Sequence, residues 1–354
     1  MLSPVSVSSK TYQQLPEYTS EQNALWHELT NECFENIRTL AHPKCAEGIR
    51  KLGFVSQRIP SVIEIGSRLA AFGWGATPVT GLIAPRTFFG YLSQKILPIA
   101  TNMRERCFKE YSPDPDVFHE AFGHACLLTD PFYSKCLQRF GEISLKAFQF
   151  PADKEYYSSV TKLAKFKTLN HGTVENKAIA AKTVNLVSEA TLLARLGWWS
   201  FECGFVLDDD QPKAYGAALL SSTKEILQAT NNPRLMGLNE SCVEFDYDPT
   251  ELQPHYFIAP SFEYLSRLLD SLASKMAFQI GGADALDIAI VSEEDATLVF
   301  DSGIELSGQV VAYTKVNGKI LNINFKNASS YSLIGDQKLV SVYPAINENE
   351  VVWN

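Results

Sequence analysis

The chain reads as a mainly α protein with small β elements, followed by a small all-β unit at its C-terminal end. Three observations predict this. Apolar residues recur at helical spacing through much of the first 228 residues. A Gly/Pro-rich passage, Gly73-Trp-Gly-Ala-Thr-Pro78, interrupts that periodicity once with extended character. After about residue 280 the helical period gives way to strand alternation.

In chain order, residues 1–16 read as a disordered tail. Leu25, Trp26, Leu29, Cys33, Phe34 and Ile37 mark one face of an amphipathic helix over 21–40. A second helix is expected over 43–52, ended by Gly53, and a third over 61–71. A short extended run over 79–83 follows, then helices over 85–95, 115–127, 131–147, 176–206 and 212–228. Residues 150–175 are polar and Lys-rich and read as an inserted excursion within a longer insertion, 150–186. Beyond 280, Val299-Phe300, Ile304 to Leu306, Gln309 to Lys315 and Lys319 to Phe325 alternate as strands. Asn317-Gly318 between the last two is a hairpin signal. The expected organisation is a catalytic unit over 17–275 and a β-rich C-terminal domain over 281–354, without internal repeats.

Composition narrows the function classes. The formal charge of −9 gives no support to nucleic acid or an anionic membrane as partner. No stretch approaches the roughly 18–20 apolar residues of a membrane span, and the first residues have no apolar signal-peptide core. Seven scattered cysteines without a CxxC pair read as reduced thiols of a cytoplasmic protein, which also suits a ferrous site.

The densest chemistry lies in Pro113-Asp-Pro-Asp-Val-Phe-His-Glu-Ala-Phe-Gly-His124. His119 and His124, with Glu120 between them, offer imidazole and carboxylate donors for Fe(II), Zn or Mn. Zinc proteases carry their two histidines at i and i+4. At i+5 the second ring lies about 140° around an ideal helix from the first. Both reach one ion only if the helix widens locally or ends at the second histidine, and Gly123 makes such an irregularity cheap. Glu202, an acid inside the aromatic run Leu196 to Gly204, is the best candidate for a third ligand; it needs a metal, a cation or a proton there, and a buried salt bridge is an equal reading of the residue alone.

With these residues in view, the chain resembles the pterin-dependent aromatic amino-acid hydroxylases, and most of all the bacterial phenylalanine 4-hydroxylases. The matching segments run in order over residues 18–275. They are Glu21 to Trp26, Gly81-Leu-Ile-Ala-Pro-Arg-Thr-Phe88, Asp116 to His124, Gly141 to Ala147, Lys213 to Ser222 and Glu251 to Pro254. The resemblance implies the hydroxylase catalytic fold, with His119, His124 and Glu202 as iron ligands and an open face left for O2. It implies pterin binding by the backbone of Gly81, Leu82, Ile83 and Ala84, stacking on Phe88, and Glu120 beside pterin and iron. Taken alone, Phe88 reads as core, and Glu120 has a solvated helical acid as its alternative reading. For the substrate the resemblance implies Arg104 on the α-carboxylate, with Ser112, Pro113, Trp198 and Ser221 around it. Arg104 alone reads equally as half of a surface pair with Arg106. Asp116 is expected to cap the helix or orient a histidine, and Tyr247 to stand near the mouth.

Three positions depart from the family's pattern. Gly197 replaces a tyrosine, Cys203 a phenylalanine and Ala218 a common glycine, which predicts a pocket wall of different shape. His124 and Glu202 are 78 positions apart, about twice the family's usual separation. The expected activity is an Fe(II)- and tetrahydropterin-dependent monooxygenation of an aromatic amino acid with O2, L-phenylalanine to L-tyrosine first. Tryptophan, another aromatic acid or a catalytically weakened ligand-binding relative are the alternatives. Self-association is expected, if anywhere, through the C-terminal unit.

Overall fold

The structure, a computed structural model, describes residues 17–169, 187–231, 234–329 and 337–345. The expected tail 1–16 and residues 170–186 of the expected insertion lie outside the described residues.

Helix α1 (Ser20–Leu40) opens with a capping box in which Thr19 and Gln22 satisfy each other's backbone N–H groups. It buries Leu25, Trp26, Leu29, Cys33 and Ile37, the stripe its spacing predicts. Pro43 starts α2 (Pro43–Leu52), and Gly53 ends it in the left-handed region, with φ 63°. Helix α3 (Val62–Leu69) leads into strand β1 (Gly75–Val79), which pairs in parallel with β2 (Ile96–Ala100) across α4 (Pro85–Ser93). The extended segment therefore starts at Gly75, earlier than the expected 79–83. Burial of Ala76 and Thr77 fixes it there, and the residues after Val79 form the loop into α4.

Downstream, α5 (Pro131–Ser144) matches expectation, but residues 151–169 do not form a polar excursion. They make a helix, α6 (Pro151–Leu169), that buries Val160, Ala164 and the stem of Lys167. Lys167 is anchored by Thr250 Oγ1 at 2.9 Å and by Glu251. The helix expected over 176–206 is shorter. Its described part is α7 (Glu189–Gly197) plus a π-helical turn, Trp198–Glu202, after which β3 (Gly204–Asp208) begins. The helix expected over 212–228 is a strand, β4 (Gln211–Ala214), then α8 (Ala217–Leu220) and α9 (Thr223–Asn231). Tertiary pairing decides this difference. Phe205 and Ala214 face each other across the β3–β4 ladder, in a four-stranded sheet completed by β5 (Leu235–Gly237) and β6 (Tyr256–Ala259).

One apolar core runs from Leu25 to Phe278 and includes α10 (Phe262–Ala273). A second joins α11 (Ala277–Ile280) and α12 (Gly282–Ser292) to a four-stranded antiparallel sheet. Its strands are β7 (Asp295–Phe300), β8 (Glu305–Val316), β9 (Lys319–Lys326) and β10 (Leu339–Pro344), in the order β10-β7-β8-β9. Phe148, which lies between α5 and α6, belongs to this second core. The Asn317-Gly318 turn closes the β8–β9 hairpin, both residues having positive φ (49° and 82°).

Candidate active site

The helix that carries the two histidines widens as their spacing requires. Val117 and Phe118 start it as α, residues His119–His124 form a π-helical turn, and residues Ala125–Thr129 tighten to 3-10 geometry. The widened turn brings the Nε2 atoms of His119 and His124 to 3.1 Å from each other. Gly123 has a different reason from the one its sequence suggests: a Cβ there would lie 2.6 Å from the carbonyl oxygen of Ala217. The glycine lets α8 pack against the turn, and the turn's own conformation does not need it.

Glu202 comes from the other π-helical turn. Its Oε1 lies 3.1 Å from His124 Nε2 and its Oε2 3.5 Å from His119 Nε2. Two imidazoles and a carboxylate thus aim at one point. Burial pushes His119 down to about 4. Burial acts the same way on His124, but the Glu202 carboxylate outweighs it and raises that ring to about 9. The nest therefore attracts one positive charge at its focus, as a cation site must. Glu120 also comes within reach, its carboxylate lying within 4.8 Å of both rings' ligand atoms. Glu202 makes the closer contacts, while burial lifts Glu120 to about 8 and leaves its Oε2 without a hydrogen-bond partner.

Around this point the supporting groups are fixed. Ser221 Oγ donates to the Ala217 carbonyl at 2.8 Å and lies 2.9 Å from His119 Nδ1, so it accepts that nitrogen's proton and leaves Nε2 free to ligate. Asp116 both caps and orients: its Oδ1 accepts the His119 backbone N–H at 3.0 Å. The same carboxylate grips Arg104 in a fork, Nε at 2.8 Å and Nη2 at 2.8 Å. Burial alone would raise Asp116, but the guanidinium beside it holds the carboxyl below its usual range. Arg104 is no surface partner of Arg106, which binds Glu28. Its Nη1 donates to the Ser221 carbonyl at 3.0 Å, so three of five guanidinium N–H groups are committed and the rest remain for a ligand.

Apart from Asp116, every expected site residue lines one cavity of about 940 Å³. Gly81, Leu82, Ile83, Ala84 and Phe88 form one wall, and Phe88 stands 6.5 Å from the His124 ring. Gly81 takes φ 59°, the left-handed conformation its loop requires. Ser112 and Pro113 line it as well, with Arg104 and Ser221. Trp198 stacks on Tyr247 at 4.6 Å and 9°, and its buried Nε1 has no partner.

The altered wall behaves differently from expectation. Cys203 is fully buried in the main core and does not line the cavity, because it follows the turn-ending Glu202 and faces away from it. The space a side chain at Gly197 would occupy is filled by Phe140, whose Cζ lies 2.9 Å from the position of such a Cβ. Of the three departures, Gly197 and Ala218 touch the cavity, and only Ala218 adds an atom to it. Sequence reasoning missed Tyr156 and Tyr157 of α6, the buried Glu225, and Glu294 from the C-terminal unit, all of which line the cavity. Nothing in their local sequence signals this, since each arrives by a long-range contact.

The description of the biopterin-dependent aromatic amino acid hydroxylases matches residues 1–191 and 177–281. The phenylalanine-4-hydroxylase of Pseudomonas aeruginosa is 30% identical over 254 residues, 71% of this chain and 82% of that one. That of Vibrio cholerae is 28% identical over 256 residues, 71% and 75% respectively. The crystal structure of Chromobacterium violaceum phenylalanine hydroxylase with bound iron(III) and oxidised cofactor 7,8-dihydrobiopterin superposes with a TM-score of 0.58 at 25% identity. It covers 76% of this chain and 87% of that one. The chain therefore belongs to the biopterin-dependent aromatic amino acid hydroxylase family.

Proposed function

We propose that the protein is an Fe(II)- and tetrahydropterin-dependent monooxygenase that converts L-phenylalanine to L-tyrosine with O2. The observation that carries this reading is the convergence of His119 Nε2, His124 Nε2 and Glu202 on one point of the cavity walled by Gly81–Phe88. These three residues hold the iron, and three protein ligands leave positions open. When bound, ferrous iron and the tetrahydropterin supply the reducing equivalents that split O2 and place one oxygen atom on the ring.

The chain's own residues do the rest. Ser221 keeps His119 Nε2 unprotonated toward the iron. Phe88 offers a face to the pterin ring and the Gly81–Ala84 backbone offers its polar edge. Glu120 stands beside pterin and iron, lining the same cavity. Arg104, pre-set by Asp116, receives the α-carboxylate with its free N–H groups beside Ser112 and Pro113, and Trp198 with Tyr247 walls off water. Phenylalanine is favoured over tryptophan because Phe140 fills the space beside Gly197 and Cys203 lies in the core.

The same reading makes residues 17–275 the catalytic domain, with its insertion over about 150–186. It makes 281–354 a separate domain through which copies associate. The β9 strand at the sheet edge and exposed Val311, Val316 and Leu321 support that last point. The cytoplasm is its place, supported by seven cysteines without a CxxC pair, six of them buried. Among the described residues no helix is long and apolar enough to cross a membrane.

The test loads the full chain with Fe(II) and measures bound iron and tyrosine formed from phenylalanine and tetrahydrobiopterin, with tryptophan and 3-phenylpropionate alongside. His124→Ala should lose both the iron and the product while retaining its fold. An iron-replete, active His124→Ala would overturn the ligand assignment, and a faster rate on tryptophan would overturn the substrate.

A further inference from the structure

Glu294 stands where α12 hands over to β7, just after Glu293, whose left-handed backbone (φ 56°) ends the helix. Its carboxylate bonds outside its own sheet. Oε2 accepts from Arg86 Nη2 at 2.9 Å and from the Gln149 backbone N–H at 3.2 Å, while Oε1 lies 3.3 Å from Lys154 Nζ. Arg86 gives the same Nη2 to the Ala147 carbonyl at 3.2 Å. Three separate stretches of chain meet here: the first turn of α4, the approach to α6 and the C-terminal unit.

The two arms of this junction differ in weight. Lys154 is 62% exposed, so its pairing is screened and weak. Glu294 and Arg86 are 11% and 15% exposed, which makes their charge-assisted bond the one that holds geometry. Arg86 lies two residues before Phe88 and directly after the Gly81–Pro85 loop, so whatever fixes its side chain fixes the start of the helix that presents Phe88. Glu294 itself borders the cavity.

We propose that Glu294 is a positioning residue for the cofactor wall, acting through Arg86, so that the C-terminal unit completes the active site. This rests on the reading above, in which Gly81–Phe88 receives the pterin. Without Glu294, Arg86 keeps only the Ala147 carbonyl as partner at this point, and a partly buried guanidinium left short of its counter-charge moves toward water. The first turn of α4 moves with it. A stacking face displaced by a fraction of an ångström costs binding to the ring it faces, and leaves the amino-acid side of the cavity in place.

The experiment titrates 7,8-dihydrobiopterin into the iron-loaded full chain by calorimetry, with the KM for phenylalanine and the melting temperature measured in parallel. Glu294→Gln keeps the shape and removes the charge. It should weaken pterin binding about tenfold, as loss of one charge-assisted bond does, with the phenylalanine KM within about twofold of wild type. Arg86→Met should weaken pterin binding as well, and adding Glu294→Gln to it should cost nothing further, since the two act as one unit. Should Glu294→Gln fail to fold, Glu294→Asp reads the same geometry with the charge kept and the reach shortened, and its pterin affinity must also fall. Unaltered pterin affinity in a folded Glu294 variant overturns the inference, as do additive losses in the double variant. Equal weakening of pterin and phenylalanine together with a lowered melting temperature also overturns it, because that pattern marks general loosening. A wild type that binds no pterin at all removes the functional reading and this inference with it. A wild type that binds, beside a Glu294→Gln that binds equally, removes this inference alone.

Discussion

At the scale of single residues, Asp116 ties together the helix, Arg104 and His119. Fully buried, it caps the turn that begins at His119 and neutralises Arg104, whose side chain is 2% exposed. Asp116→Ala leaves that guanidinium without its counter-charge inside the protein. Unfolding stability should drop by about 3–5 kcal/mol, the usual consequence of breaking a buried pair from one side. Urea titration reads the loss, and a stability within about 1 kcal/mol of wild type would mean that Arg104 finds another partner or water. The convergence of His119, His124 and Glu202 was legible because residue type and local spacing display it: two imidazoles at i+5 and an acid set in aromatic surroundings. Cys203 was not legible, because which way a side chain faces after Glu202 depends on the phase of the widened turn. The partnership of Arg104 with Asp116 spans 12 positions, and that of His119 with Ser221 spans 102. No local pattern displays such contacts.

At the scale of elements, the two turns that carry His119, His124 and Glu202 are π-helical, and each is held by tight packing around it. Gly123 is the clearest case, since Ala217 occupies the place of a side chain there. Gly123→Ala should force α8 away from the turn. We expect a loss of about 1–3 kcal/mol, the usual range for overpacking, together with weaker iron retention against a chelator. Retention equal to wild type in a chelator competition would show that the ligand geometry tolerates the shift. Elements with strong local signals were legible: the α1 stripe, the Gly53 stop, and the Asn317-Gly318 hairpin. Strand β4 and helix α6 were not. Ala214 is a strand residue because Phe205 pairs with it, and α6 is a helix whose buried side is small, Val160 and Ala164 among polar neighbours. Both are decided by what lies opposite them.

At the scale of the whole molecule, the two apolar cores are stitched together by buried groups. Glu189 accepts the backbone N–H of Phe148 at 3.0 Å and that of Ala277 at 2.6 Å, and Phe148 itself sits in the C-terminal core. Burial holds the Glu189 carboxyl above its ordinary range, while these two N–H bonds pull the other way. The described chain should therefore melt as one unit in spite of its change of texture at residue 280. Glu189→Ala would strand two buried donors, each costing about 1–3 kcal/mol. Differential scanning calorimetry should show one transition in wild type, and in the variant either a lower midpoint or a separate early transition of the C-terminal part. Two well-separated transitions in wild type would refute the coupling. The sequence displayed the boundary between textures, but not that residues on either side of it share a core and a cavity rim.

The widened turn also sets rules for insertions and deletions in this gene. Removing one residue between His119 and His124 would return the histidines to four-residue spacing. It would also take out the residue that the widening accommodates, so the turn could close to ordinary α geometry with the following segment kept in phase. A deletion there is absorbed all at once, by exchanging a π-helical turn for an α-helical one, and it moves the two rings relative to each other. The stretch between His124 and Glu202 obeys a different rule. It leaves His124 and returns at Glu202 with α6 in between, and length can be added there so long as both ends still arrive.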